Sequence, residues 1–272
     1  MDERFATLPK IVAQPAARLL ALSNASFDEP VTAPAAADVG AVLAELDASD
    51  RPTDMIRLLS VALPVREGVW WACLAGRDRV PEGGRAPKTL TTAEAWAFEP
   101  TEDKRKAARE ALDAADPSDP TVLCAMAVAM CDGKLGPGEL AQYDGPPGAS
   151  QTAVFGMNML SLGDRAEEYF HWIQVLIERG LDIARGGNGT IDPAAVEAKI
   201  PAPDPDDLEE DEEEDDDEDD FDDDDDDEDI DDDEGDDEDS GEDDEGEDDR
   251  GDASDDGDGD AQPSDSDEET DR

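Results

Sequence analysis

Tyr169-Phe170-His171-Trp172-Ile173-Gln174-Val175-Leu176-Ile177 is the stretch that decides the fold. Tyr169, Trp172, Ile173, Leu176 and Ile177 recur at i, i+3, i+4, i+7 and i+8, the spacing of one apolar helix face. The pattern predicts a helix over residues 164–185, ended by Gly186-Gly187, where glycine accepts the backbone turn that closes a helix. An amphipathic helix draws most of its stability from packing that face on other elements. The chain must therefore supply partners, and the same spacing rules find them upstream.

Residues 152–162 form a further apolar helix with Val154, Phe155, Met157, Met159 and Leu160. Residues 122–130 are apolar almost all round and are expected at the centre. Asp119-Pro120 starts that helix, an N-cap acid followed by proline at the first helical position. Thr101 caps a helix with Glu102 and Asp103 in its first turn, where negative charge suits the helix dipole. It continues through Lys104, Arg105, Lys106 and Arg109. Thr91-Thr92-Ala93-Glu94 fits a capping box and leads into Trp96 and Phe98. Earlier helices are expected over 37–46, from Thr53-Asp54 to Val61, and over 65–76, with Pro64 and Pro100 as stops. There is no strand alternation and no internal repeat. The reading is all-α: a bundle of about six to eight helices over residues 36–200. Pro9, Pro15, Pro30 and Pro34 interrupt residues 1–35, which are read as a loosely ordered segment with a short helix near 18–22.

Charge divides the chain unevenly. Residues 201–272 hold 48 acidic and 2 basic residues, a net charge of −46, whereas residues 1–200 carry only −11. Leu208, Phe221 and Ile230 are the large apolar residues of the tail. So little apolar surface with so much charge cannot offset the entropy of ordering a chain, so the tail is read as disordered and extended by self-repulsion. Bare nucleic acid and anionic membranes are excluded as direct partners, because both are bound mainly through clustered Lys and Arg. The tail suits basic protein partners, and it takes up divalent cations only weakly and without selectivity, lacking the loop geometry of a calcium site. Ser240, Ser254, Ser264 and Ser266 sit in surroundings that suit an acidophilic kinase.

Candidates for chemistry are few. The single histidine, His171, stands beside Trp172 with no orienting acid in sequence. Cys73, Cys124 and Cys131 are too few and too widely spaced for a disulfide framework or a structural zinc site, and are expected as reduced, small core residues. The glycine pairs lack the lysine and the strand–loop–helix setting of a phosphate loop. No catalytic, metal or cofactor-binding residue is assigned. The N-terminus lacks a signal pattern and the apolar run 121–131 is shorter than the ~18 residues that span a bilayer, so the expected location is cytoplasmic.

One segment remains: Leu63-Pro64-Val65-Arg66-Glu67-Gly68-Val69-Trp70-Trp71-Ala72-Cys73. Adjacent helical residues point about 100° apart, so Trp70 and Trp71 cannot both enter one core. One packs inward with Cys73 and Leu74. The other either lines a groove beside Arg66 or Glu67, the composition of an interface hot spot, or is buried against a different helix, as aromatic stripes generally are. Arg66, Glu67, Trp70 and Trp71 are thus candidate partner-binding residues, with Phe221 and Ile230 as anchors in the tail.

This segment, with the later Ala93-Glu94-Ala95-Trp96, resembles an uncharacterised bacterial domain family with an LP-x-R-E-x-V-W-W-A-C stretch. Its members also show a basic helix like Lys104-Arg105-Lys106-Ala107-Ala108 and a turn like Gly133-Lys134-Leu135. The resemblance runs from about residue 51 to about residue 181. It implies no activity, and the acidic tail exceeds the family's extent. The expected function is a non-enzymatic interaction or adaptor module whose polyanionic tail modulates binding or solubility. The alternative is an acidic nucleic-acid mimic or a chaperone for a basic protein.

Overall fold

The computed structural model describes residues 3–163 and 165–199. Among them nine α-helices follow one another: α1 (Ala16–Leu22), α2 (Val39–Ala48), α3 (Pro52–Ala62), α4 (Val65–Arg77), α5 (Lys88–Phe98), α6 (Glu102–Asp113), α7 (Val122–Ala129), α8 (Ala149–Leu160) and α9 (Tyr169–Arg185). The one isolated strand-type bridge among the described residues pairs Lys134 with Asp144. The fold is all-α. The acidic stretch 201–272, with Phe221 and Ile230, lies outside the described residues.

The α9 stripe does what its spacing requires. Ile173, Leu176, Ile177 and Leu181 are completely buried, and α9 packs on α3 and α4. Helix α4 is the hub, touching α5, α7, α8 and α9. On one side α5, α6 and α7 pack together; on the other, α3 joins α1, α2, α8 and α9. Trp71, Leu43, Leu46, Met55, Ile56, Leu58, Leu59, Leu90 and Met157 fill the interior. No helix among the described residues is long and apolar enough to cross a membrane.

Three expectations need correction. The N-terminal segment is not loosely attached: Phe5, Ala16, Leu19 and Leu20 are buried in the core. Its backbone is also tied down, Lys10 N donating to Ala184 O at 3.0 Å and Val12 N to Ala62 O at 3.1 Å. Ala16, Leu19 and Leu20 keep i, i+3, i+4 spacing, but α1 is only seven residues long; Phe5 stands alone with no period, and only tertiary packing reveals it. Second, Thr91 and Glu94 do not form a capping box. Helix α5 begins at Lys88 after Pro87, and the Thr91 and Thr92 hydroxyls bond back to the Pro87 and Lys88 carbonyls. Glu94 pairs instead with Arg77. Third, Asp119 acts two residues ahead of the cap. Its carboxylate accepts from Thr121 N and Oγ1, both at 2.8 Å, and α7 starts at Val122. The Thr101 cap stands as read, accepting from Lys104 N at 3.4 Å.

The joint between α1 and α8 depends on one glycine. Gly148 has φ of +73°, and a Cβ there would lie 2.1 Å from the Ser23 carbonyl oxygen. Left-handed backbone costs an L-residue about 1–2 kcal/mol, and the clash with backbone adds to it. Gly148→Ala should therefore lower unfolding free energy by ~2 kcal/mol or more, measured by urea denaturation; an unchanged midpoint would refute this account of the joint.

A second joint responds to pH. The Glu45 carboxylate accepts from Thr32 N at 2.5 Å, Thr32 Oγ1 at 2.8 Å and Ala33 N at 2.8 Å, holding residues 32–33 against α2. The Thr32 amide hydrogen bond, reinforced by the Thr32 hydroxyl, holds its pKa below the usual glutamate range. A depressed folded pKa contributes stability above the unfolded value, and the contribution disappears as pH falls through the folded one. Exchange protection of the Thr32 and Ala33 amides should thus persist at neutral pH and fall below about pH 4. In Glu45→Gln that pH step should be absent.

Candidate functional site

Helix α4 places its residues by simple geometry. Arg66 and Trp70 are four apart and share a face, whereas Trp71 lies one residue round, toward α9. Trp71 is completely buried, and its indole Nε1–H donates to Leu176 O at 3.0 Å. Trp70 is half-buried and donates through Nε1–H to Asn188 O at 2.8 Å. Of the two alternatives for the second tryptophan, full burial is not met: Trp71 is the inward residue and Trp70 borders a cleft.

The wall facing Trp70 is built by the end of α9. Gly186, at φ +101°, donates to Ile183 O, and Gly187 N donates to Asp182 O at 2.8 Å. This paired closure is the Schellman arrangement. The Asp182 carboxylate then accepts from Gly189 N at 2.8 Å. The loop is thereby fixed so that Asn188 presents its carbonyl to the indole.

The other wall is the end of α5. Arg66 lies across it, donating through Nε to Ala97 O at 2.6 Å and through Nη2 to Phe98 O at 3.3 Å. A guanidinium so placed satisfies helix-end carbonyls that lack intrahelical partners. Phe98 closes the rim with its side chain 82% exposed. Lys10 completes the site, its ammonium 3.4 Å from the Glu67 carboxylate. The result is a cleft of about 260 Å³ lined by Lys10, Arg66, Glu67, Trp70, Phe98 and Ile183, with Ala97 and residues 186–188.

Arg66, Glu67 and Trp70 thus come together, Trp71 does not join them, and Phe221 and Ile230 lie outside the described residues. Sequence reasoning missed Phe98, Lys10 and the 186–188 wall. Phe98 had a signal: it stands two residues from buried Trp96, about 200° round the helix, and so faces away from the core that Trp96 enters.

The remaining candidates are placed as follows. Cys73 and Cys124 are buried and Cys131 half-buried, all as free thiols. The neighbouring Cys124 thiol, together with burial, pushes the Cys73 thiol well up, away from the reactive thiolate. His171 stands edge-on to Trp172. Among the described residues no group of three or more His, Cys, Asp or Glu is placed to share a metal ion. The basic residues of α6 are engaged: Lys104 with Glu99 at 2.6 Å, Arg105 with Glu102 and Asp132, and Arg109 with Asp132 at 3.5 Å.

With this geometry in view, the comparisons with known proteins add a single relationship. Residues 42–184 match the model of a family described as "Family of unknown function (DUF6931)". The match contains Arg66, Glu67, Trp70 and Phe98 and leaves Lys10 and the 186–188 wall outside it. No curated protein and no solved structure matches the chain.

Proposed function

We propose a role for this chain, which belongs to the family of unknown function DUF6931: it is a non-enzymatic interaction module that docks a protein partner at the Trp70 cleft. The observation that carries this reading is Phe98. A phenylalanine ring 82% exposed at a helix end contributes little to the core, yet it stands across a cleft from a half-buried tryptophan held by its own hydrogen bond. Aromatic side chains with arginine at the centre of a concave patch are the usual energetic anchors of protein interfaces. The acidic tail is a second element of this reading, modulating binding or solubility. A net charge of −46 in residues 201–272 favours basic partners and raises their encounter rate. The proposed setting is the cytoplasm.

The test is affinity capture from native lysate with three full-length chains: the unaltered protein, Phe98→Ala, and a version whose carboxylates over residues 204–233 are replaced by their amides. A partner retained by the first and lost from the second supports docking at the cleft. Retention of nothing by the unaltered protein at low and moderate salt ends the proposal. The second reading, an acidic mimic of nucleic acid or a chaperone for a basic protein, is favoured by the tail charge alone. It predicts a salt-sensitive basic set lost from the third chain and kept by the second.

A further inference from the structure

We infer that the Trp70 cleft takes a cationic side chain, lysine or arginine, from a protein partner; this deepens the docking reading and rests on it. The first observation is the cation already in place. Lys10 meets Glu67 at 3.4 Å, with the lysine side chain 50% exposed and the glutamate 19%. Among the described residues a carboxylate largely withdrawn from water is thus answered by one long contact from a half-exposed surface side chain, and such pairs are weak. A partner's ammonium or guanidinium replaces Lys10 on Glu67 without disturbing the core.

The second observation is aromatic. The faces of aromatic rings attract cations, and this protein uses the contact repeatedly: Arg4 over Phe5, Arg51 over Phe27, Arg57 over Phe155, and Arg165 3.9 Å from the Trp172 centroid. Among the described residues Trp70 and Phe98 are absent from that set, although both border the cleft and Phe98 is the most exposed large apolar residue. The third is backbone charge. Helices α5 and α9 both end at the cleft, and helix C-termini carry partial negative charge. Arg66, the other cation present, is committed to the α5 end through Ala97 O and Phe98 O. The fourth is complementarity. A chain of net charge −57 draws cationic partners and repels anionic ones.

The experiment uses the full chain labelled with ¹⁵N-tryptophan and follows the Trp70 indole N–H resonance, identified by its loss in Trp70→Phe. N-acetyl-lysine methylamide is titrated first, then N-acetyl-aspartate methylamide. The lysine compound should give a saturable shift at Trp70. Phe98→Ala, which alters no charge and removes little from the core, should weaken it about three- to fivefold. Glu67→Gln should abolish saturation, and Lys10→Ala, by emptying the site, should tighten binding. The inference is overturned if neither compound shifts the resonance, if all variants respond alike, or if the aspartate compound saturates instead. That last outcome would point to Arg66 as an anion hook and leave docking at the cleft standing. Docking itself fails separately, when the captured partner survives Phe98→Ala.

Discussion

Trp71→Ala should lower the unfolding free energy by about 3–5 kcal/mol, by opening a cavity in the core. Trp71 is completely buried at the hub helix. Removing it leaves a cavity that the surrounding helices can only partly collapse, and it strips the Leu176 carbonyl of its indole donor. The packing around it is close. A Cβ at Gly180 would lie 3.1 Å from one ring carbon and 3.2 Å from another, and 3.1 Å from a Leu59 methyl. Gly180→Ala should therefore be destabilising in the unaltered protein, by about 1–3 kcal/mol, and much less so once the Trp71 ring is gone. That non-additivity in a double-mutant cycle, read from urea denaturation followed by far-ultraviolet circular dichroism, is the specific signature. Trp70→Ala is the control: half-buried in the cleft, it should cost clearly less stability. If the two tryptophans proved equally costly, the division of labour between core and cleft would be wrong.

That division was partly legible in the sequence. The i, i+4 relation of Arg66 to Trp70 and the one-residue offset of Trp71 follow from helix geometry, so a groove candidate could be named at once. Which tryptophan turned inward could not, because it depends on where α9 lies, and α9 is a hundred residues away. The α9 stripe and its Gly186 stop were readable because period and terminator coincide. The start of α5 was not: Thr91 and Thr92 have the residue types of a cap, but hydroxyls that bond back to carbonyls one turn earlier serve equally well inside a helix. Lys10 leaves no local trace, and the readable Gly186-Gly187 stop does not tell that residues 186–188 face Trp70, since each acquires its role through contacts with α4. The same holds for Phe5, which carries no periodic signal and is nonetheless core.

Arg179→Met should cost about 3–5 kcal/mol, for a reason opposite to a cavity. Arg179 and Asp78 form an ion pair between α9 and the end of α4, with side-chain exposures of 10% and 16%. Arg179 also lies 5.9 Å from the Trp172 centroid, while Arg165 donates to the Asp78 carbonyl at 3.2 Å. Burying two charges is expensive, and their attraction returns most of that only while both are present. Removing the arginine leaves the Asp78 carboxylate largely buried without its counter-charge. Converting both partners to apolar residues of similar volume, Arg179→Met with Asp78→Leu, should recover most of the loss. Thermal unfolding of the two single variants and the double variant decides the matter. A double variant close to the unaltered protein means that the pair contributes orientation of α9 against α4 more than net stability. A double variant as unstable as the sum of the singles would mean that the carbonyl and guanidinium contacts around Asp78, and not charge neutralisation, hold this corner of the fold.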